Sequence, residues 1–241
     1  MIRFPRPAEG EVHIRCIGLD AAELQVDRRE GLLSQDERDR ADRLLNPQAR
    51  NQFVTGRVFL RQVISGYLGI GPENIELALS EHGKPHLKEG SASASGLAFN
   101  LAHSGELILL AVTAGQKVGI DLELVRDDLP LAEMSRLACS ALERRELNSL
   151  PEHLRPAAFY RCWTRKEAFL KGSGYGFRLA CDSFDVSLLP GSPPLLRNRR
   201  GSDHRSIWQL FDIAVPERYC AALAVEYAGR VRLSHLQAFA A

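Results

Sequence analysis

VGIDLEL, residues 118–124, alternates apolar side chains with glycine and acids, the two-residue period of a β-strand. Side chains two apart on a strand share a face. Asp121 and Glu123 therefore stand side by side, while Ile120, Leu122 and Leu124 line the other face as core. Adjacent carboxylates repel, which is costly unless a cation or a basic group sits between them. Taken alone, the pair reads equally as a solvent-facing strand edge with two ordinary acids.

Working outward, AGQK (114–117) is a turn, preceded by short apolar runs at Leu97–Leu101 and Leu107–Thr113 that predict a strand–turn–strand. An echo appears downstream. FNLA (99–102) leads to a strand ending Ala111-Val112, and FDIA (211–214) leads to one ending Ala224-Val225. Each block follows a helical pattern bearing aromatic and basic residues, at 50–65 and 157–171. The echo suggests a duplicated α+β unit with a boundary near 114–118, giving subdomains 1–115 and 116–241.

The remaining pattern predicts an opening strand over 11–19 with Val12, Ile14 and Cys16 on one side. A helix starts at Ser34 and continues through Phe53 to Tyr67, with Gly66 and Gly69 ending it. A short strand is expected at 75–79, a small-residue loop at 90–96, and helices at 131–148 and 155–171. A long exposed loop at 189–203 and strands at 207–213, 220–227 and 231–236 complete the reading.

The second stretch that can carry chemistry is WTRKEAFLKG, residues 163–172. On a helix Glu167 and Lys171 are neighbours at i, i+4. By themselves they read as a surface ion pair worth about 0.3–0.5 kcal/mol. Joined to Asp121 and Glu123, they make three carboxylates and a lysine. That set suits a hard divalent ion such as Mg²⁺, which takes few protein oxygens and the rest from phosphate and water. Two weaker elements lie upstream. In GKP (83–85) Pro85 keeps Lys84 out of helical geometry, leaving a point charge for a phosphate or simply a turn. In FNLAHS (99–104) a turn bearing Asn100, His103 and Ser104 offers donors to an anion, or holds a histidine satisfied locally.

Composition bounds the function. Hydrophobic residues at 45% and charged residues at 25% exclude a disordered chain, and a chain of 241 residues needs no disulfide or metal staple. Net charge is +1, so no bulk electrostatic case for nucleic acid arises. The arginines of 197–205 read as a solvated loop, and the mixed charges of 34–43 as a solvated helix face. Five cysteines without CxxC spacing argue against a disulfide framework and for a reducing cytoplasm. The N-terminus lacks a signal-type apolar core, and the longest apolar run, Leu107–Val112, is too short to span a membrane.

The order GKP, FN-x-x-HS, GID-x-E, W-x-x-KEA-x-x-K over residues 34–177 resembles the Sfp-type 4′-phosphopantetheinyl transferase family. The resemblance implies an α+β fold of two similar α/β subdomains about a pseudo-twofold axis, with coenzyme A in the cleft between them and a monomeric chain. It implies transfer of the 4′-phosphopantetheine arm of coenzyme A to a serine of an acyl or peptidyl carrier protein, with release of adenosine 3′,5′-bisphosphate. Mg²⁺, with Mn²⁺ as a substitute, would be held by Asp121, Glu123 and Glu167. The catalytic set would be Glu167, Asp121 and Lys171, with Glu167 acting as base directly or through a water. Arg40, Lys84, Asn100, His103 and Lys171 would bind coenzyme A, with Arg57 a lesser candidate. The family turn reads F-N-x-S-H-S, and Ala102 stands here at the first serine, which implies weaker coenzyme A binding. Residues 172–179, with Tyr175, Phe177 and Arg178, would touch the carrier or pack on the core. Two other readings compete: a non-catalytic paralogue that binds coenzyme A or a carrier, and another metal-dependent phosphotransferase. The second lacks any G-x-x-x-x-G-K-S/T loop.

Overall fold

A computed structural model of the chain describes residues 3–20, 30–81, 83–89, 96–126, 128–198 and 207–236. They fall into two units: one holds the described residues up to Gly115 and the strand that starts at Arg232, and the other is Gln116–Val231.

The first unit contains β1 (Glu11–Gly18), α1 (Gln35–Asp42), α2 (Pro47–Leu68), β2 (Leu77–Leu79), β3 (Pro85–Leu87), β4 (Leu97–Ser104), β5 (Leu107–Ala114) and the last strand, β11 (Arg232–Leu236). Ser34 starts α1 through a capping box with Glu37. The single helix expected from Ser34 to Tyr67 is in fact two. Asn46 restarts the chain by accepting from the Gln48 and Ala49 N–H groups, Pro47 fills the first helical position, and α2 ends at Gly69 with φ +71°. Val58, Phe59, Val63 and Ile64 of α2 pack in one core with Phe99, Ile108, Leu110 and Val112 of the sheet.

That sheet has the order β11-β1-β5-β4. Its opening strand carries an unexpected pattern. Opposite the core residues Val112, Leu110 and Ile108 stand His13, Arg15 and Ile17, whereas Val12 and Ile14 lie buried on the other face. His13 Nδ1 lies 2.8 Å from the Tyr67 hydroxyl of α2, so the polar side of the alternation is the helix side. The FNLAHS segment, expected to include a turn, is strand to its end. Ladder pairing runs from Leu97 to Ser104, and the turn is Gly105-Glu106.

The subdomain boundary expected as 116–241 also changes at its far end. β11 pairs parallel with β1, from Glu11 opposite Arg232 to Arg15 opposite Leu236. Glu11 accepts from the Ser234 hydroxyl at 2.7 Å and faces Arg232 at 3.6 Å. The returning strand covers an edge of β1 that would otherwise be open.

The second unit contains β6 (Val118–Leu124), α3 (Leu131–Ala138), α4 (Ala141–Ser149), α5 (Arg155–Ser173), β7 (Phe184–Val186), β8 (Leu196–Asn198), β9 (Trp208–Asp212) and β10 (Tyr219–Glu226). The helix expected over 131–148 breaks at Cys139-Ser140, because Ser140 and Glu143 form a second capping box that starts α4. Within the expected loop 189–203, residues 196–198 form β8 and pair with β7. Residues 199–203, like 90–95 of the other expected loop, lie outside the described residues.

The two units repeat one order. A strand, a long helix, a two-stranded ribbon and a hairpin occur as β1, α2, β2/β3, β4/β5 and again as β6, α5, β7/β8, β9/β10. The central strand arrangement β1-β5-β4 matches β6-β10-β9. The fold is α+β, and the sequence echo corresponds to the two hairpins. Among the described residues no helix is long and apolar enough to cross a membrane.

Candidate functional site

The acidic strand and the motif helix meet through glycine. A Cβ built on Gly119 of β6 would lie 2.0 Å from the Ala168 carbonyl oxygen and 2.3 Å from the Gly172 nitrogen, both of α5. Ala222 and Ala224 stand opposite Asp121 and Gly119 on β10 and keep that face small. With the backbones in contact, the helical residues spaced by four, Trp163, Glu167 and Lys171, run along the face that carries Asp121 and Glu123. Lys171 Nζ donates to Asp121 Oδ1 at 2.5 Å, and the Trp163 indole N–H donates to Glu123 Oε1 at 3.1 Å. Glu167 lies one turn from each of these contacts.

Asp121 is only 3% exposed, and its Oδ2 is a buried oxygen with no hydrogen-bond partner. Burial pushes its carboxyl up to about 7; Lys171 opposes the shift, and Glu123 and Glu167 add to it. Burial also raises Glu167, against Lys171 and with Glu123. Burial alone would lower Lys171, but the charge and hydrogen bond of Asp121, together with Glu167 and Glu123, hold the ammonium above its usual range. Three carboxylates and one lysine thus act on one another, with more negative than positive charge.

This donor set fits a hard divalent cation. An orphaned buried carboxylate oxygen is costly, and oxygen ligands are what Mg²⁺ takes. The three carboxylates are not closed to ligand spacing, however. Among the described residues, the trio of potential ligands whose donor atoms all lie within 4.8 Å is Cys139, Glu143 and Cys162. Lys171 holds one oxygen of Asp121, and Trp163 holds one of Glu123. The cysteine trio is no rival. Glu143 already accepts from the Ser140 and Val186 N–H groups, both at 2.7 Å, and pairs with Lys166 at 2.6 Å.

Arg165 and Lys166, the two basic residues in the middle of the motif, are scaffold. Lys166 is fully buried and donates to the Phe184 carbonyl at 3.0 Å as well as pairing with Glu143. Arg165 makes a two-pronged bond to Asp212 at 2.8 and 2.6 Å.

In the first unit, a cavity of about 140 Å³ is lined by Arg40, Phe53, Arg57, Pro85, Leu101 and His103, among others. It brings Arg40 and His103 together with Arg57. Lys84 adjoins it through Pro85, in a tight turn where the Lys84 N–H donates to Ser80 Oγ and Gly83 takes φ +76°. Asn100 does not join this group. It is buried on the face of β4 opposite His103, and so is Ala102, 3% exposed. A serine hydroxyl at 102 would face away from this cavity. Tyr175 and Arg178 are exposed, and the side chain of Phe177 lies outside the described residues. Gly119, Gly172 and the Trp163–Glu123 bond were not singled out from sequence. The signal available was glycine at both places where a strand and a helix would have to touch.

Comparison with known proteins follows the same division. A family model described as the 4′-phosphopantetheinyl transferase superfamily matches residues 117–224, and one described as 4′-phosphopantetheinyl transferase, N-terminal, matches residues 21–115. The 4′-phosphopantetheinyl transferase HetI of Nostoc sp. is 37% identical over 215 residues, covering 89% of this chain and 87% of that protein. The 4′-phosphopantetheinyl transferase Sfp of Bacillus subtilis is 29% identical over 157 residues, covering 65% of this chain and 66% of that protein. A solved structure titled Chronobacterium ammoniagenes ACPS-CoA complex is 21% identical with a TM-score of 0.34, covering 46% of this chain and 95% of that one.

Proposed function

The chain belongs to the 4′-phosphopantetheinyl transferase superfamily, and from that premise we propose that it moves the 4′-phosphopantetheine arm of coenzyme A onto a serine of an apo carrier protein. The serine oxygen bonds to the phosphorus that bears the pantetheine arm. The bond from that phosphorus to the adenosine-side phosphate breaks, and adenosine 3′,5′-bisphosphate leaves. The observation that supports this most is the buried, unpartnered Oδ2 of Asp121 set among Glu123, Glu167 and Lys171.

Asp121, Glu123 and Glu167 hold Mg²⁺ or Mn²⁺ in this reading. When bound, the ion neutralises the pyrophosphate and the charge that develops on the leaving oxygen. Trp163 fixes the Glu123 carboxylate by its N–H bond. Lys171 offers its ammonium to a coenzyme A phosphate. Glu167 takes the serine proton directly or through a water. Arg40, Lys84 and His103 bind the phosphate at the adenosine end, and binding there orients the reacting phosphorus. Carrier proteins tend to be acidic, so exposed Arg178 beside Tyr175 suits that partner. We take the chain as a monomer, since one chain already carries both repeats. All five cysteines are free thiols, in keeping with a reducing cytoplasm.

Incubation of an apo carrier with coenzyme A, Mg²⁺ and this protein tests the reading by mass spectrometry. The carrier gains one phosphopantetheine arm if the proposal holds. Coenzyme A binding without any gain would favour the non-catalytic paralogue instead.

A further inference from the structure

Two thiols that the transfer reaction does not use lie against each other inside the second unit. Cys139 Sγ and Cys162 Sγ share a hydrogen bond at 3.8 Å, and both residues are fully buried. Cys139 stands where α3 gives way to α4, on extended backbone at φ −100° and ψ 143°. Cys162 is fixed in the middle of α5. The residue after it is Trp163, whose indole N–H holds Glu123. The two sulfurs are in direct contact, with no side chain between them.

Their surroundings make the sulfurs unequal. The bond from Cys162 lowers the Cys139 thiol below its usual range, against burial and Glu143, and Lys166 and Arg144 lower it further. The Cys162 thiol is raised well above its usual range, first by that bond and then by burial and Glu143. The thiolate, not the thiol, is the nucleophile, so Cys139 is the sulfur that attacks and Cys162 the one that resolves. Access comes through α3. That helix has eight residues, and Pro130 at its N-cap makes no side-chain cap bond. Leu137, two residues before Cys139, is 76% exposed. A short, uncapped helix opens locally at low cost, and opening α3 uncovers Cys139.

We propose that Cys139 and Cys162 are an oxidisable pair that a small peroxide converts to a disulfide, and that this bond switches the acidic site off by moving Trp163. With hydrogen peroxide as the oxidant, the Cys139 thiolate attacks one oxygen and the O–O bond breaks. Hydroxide leaves and takes up the proton that Cys139 had released. Cys162 then attacks the sulfenic sulfur, the S–O bond breaks, and water leaves with the Cys162 proton. The two cysteines lose two electrons, the peroxide gains them, and two waters form. A thiol reductant reverses the change by exchange. The new bond spans about 2 Å, so closing it draws Cys162 and the α3–α4 junction together. Trp163 is carried along with Cys162, and its 3.1 Å bond to Glu123 is lost. The effect on activity rests on the transferase reading; the disulfide itself does not. In a reducing cytoplasm such a bond is transient, as in redox sensors.

Hydrogen peroxide treatment of the full chain carrying Cys16→Ser, which removes the exposed thiol, tests this. Peptide mapping after alkylation should find a cross-link from Cys139 to Cys162, two hydrogens lighter than the reduced peptides, and dithiothreitol should undo it. The Trp163 indole N–H resonance should shift on oxidation and return on reduction. Transfer activity should fall about tenfold or more and recover with the reductant. Cys139→Ala and Cys162→Ala, added singly, should each leave the activity of the reduced protein little changed and abolish both the resonance shift and the loss under peroxide. Thermal melts confirm that both variants are folded. Two thiols still free to alkylate after peroxide and unfolding would overturn the proposal. So would a cross-link that leaves the Trp163 resonance and the activity unchanged, or an equal loss of activity under peroxide in both variants. A cross-link with its resonance shift, in a chain that labels no carrier even when reduced, would remove the transferase reading and leave the pair standing.

Discussion

Gly172 of α5 and Gly119 of β6 touch backbone to backbone: a Cβ on Gly172 would stand 2.9 Å from the Gly119 nitrogen and 2.8 Å from the Trp208 ring. This contact sets the distance at which Lys171 meets Asp121 and Trp163 meets Glu123. Gly119→Ala should cost about 1–3 kcal/mol, the usual range for overpacking, and should separate the acids of β6 from α5. A thermal melt and a transfer assay on the same sample check both effects. Normal stability with normal activity would show that the close approach is not required.

Lys166 sits in the motif that suggested catalysis, yet it is buried against Glu143 at 2.6 Å. Lys166→Met would leave that carboxylate buried without its cation. Breaking one side of a buried pair costs about 3–5 kcal/mol. Urea unfolding should show this loss, and activity per folded molecule should persist at low temperature. A large fall in turnover at unchanged stability would give Lys166 a direct role in chemistry.

Glu11 holds the first strand and the returning last strand together. Its carboxylate is lowered to about 2, first by the Ala8 N–H, then by the Ser234 hydroxyl, with His13 and Arg232 adding to them. A carboxyl lowered on folding stabilises the native state above its ordinary value of 4.5, and that contribution fades as pH falls through the folded value. Glu11→Gln should therefore cost about 1 kcal/mol near neutrality, with the gap from wild type shrinking between pH 4.5 and pH 2. Chemical denaturation across that range checks the sign. A gap that widens on acidification would contradict it.

Ala102 lies on the face of β4 away from His103. Ala102→Ser should leave the coenzyme A KM within about twofold and lower stability by about 1 kcal/mol, because a buried hydroxyl needs a partner. Steady-state kinetics with a melt decide it; a clear drop in KM would restore the serine to the binding surface.

Strand alternation placed Asp121 beside Glu123, and the four-residue helical spacing placed Glu167 above Lys171, so most of the acidic group was readable from local periodicity. The duplicated order was readable because the two hairpins carry the same apolar run. What periodicity could not carry was polarity turned inward. His13 and Arg15 face the helix because Tyr67, Phe4 and Glu11 satisfy them there, with Arg15 over the Phe4 ring at 3.6 Å. Nothing in local spacing pairs Lys166 with Glu143, because the two lie on different helices. Asn100 and His103 looked like companions in a turn, but an odd separation on a strand sends them to opposite faces. Strand β11 crossed the expected boundary because its partner, β1, is more than two hundred residues away in sequence.

Titration of Mg²⁺ into the protein in the presence of coenzyme A, followed by calorimetry for wild type, Asp121→Asn and Glu167→Gln, tests the central claim most directly. Saturable binding is expected for the wild type, with Asp121→Asn abolishing it and Glu167→Gln weakening it about tenfold or more, all three remaining folded by circular dichroism. Equal Mg²⁺ affinity in the wild type and both variants would contradict it.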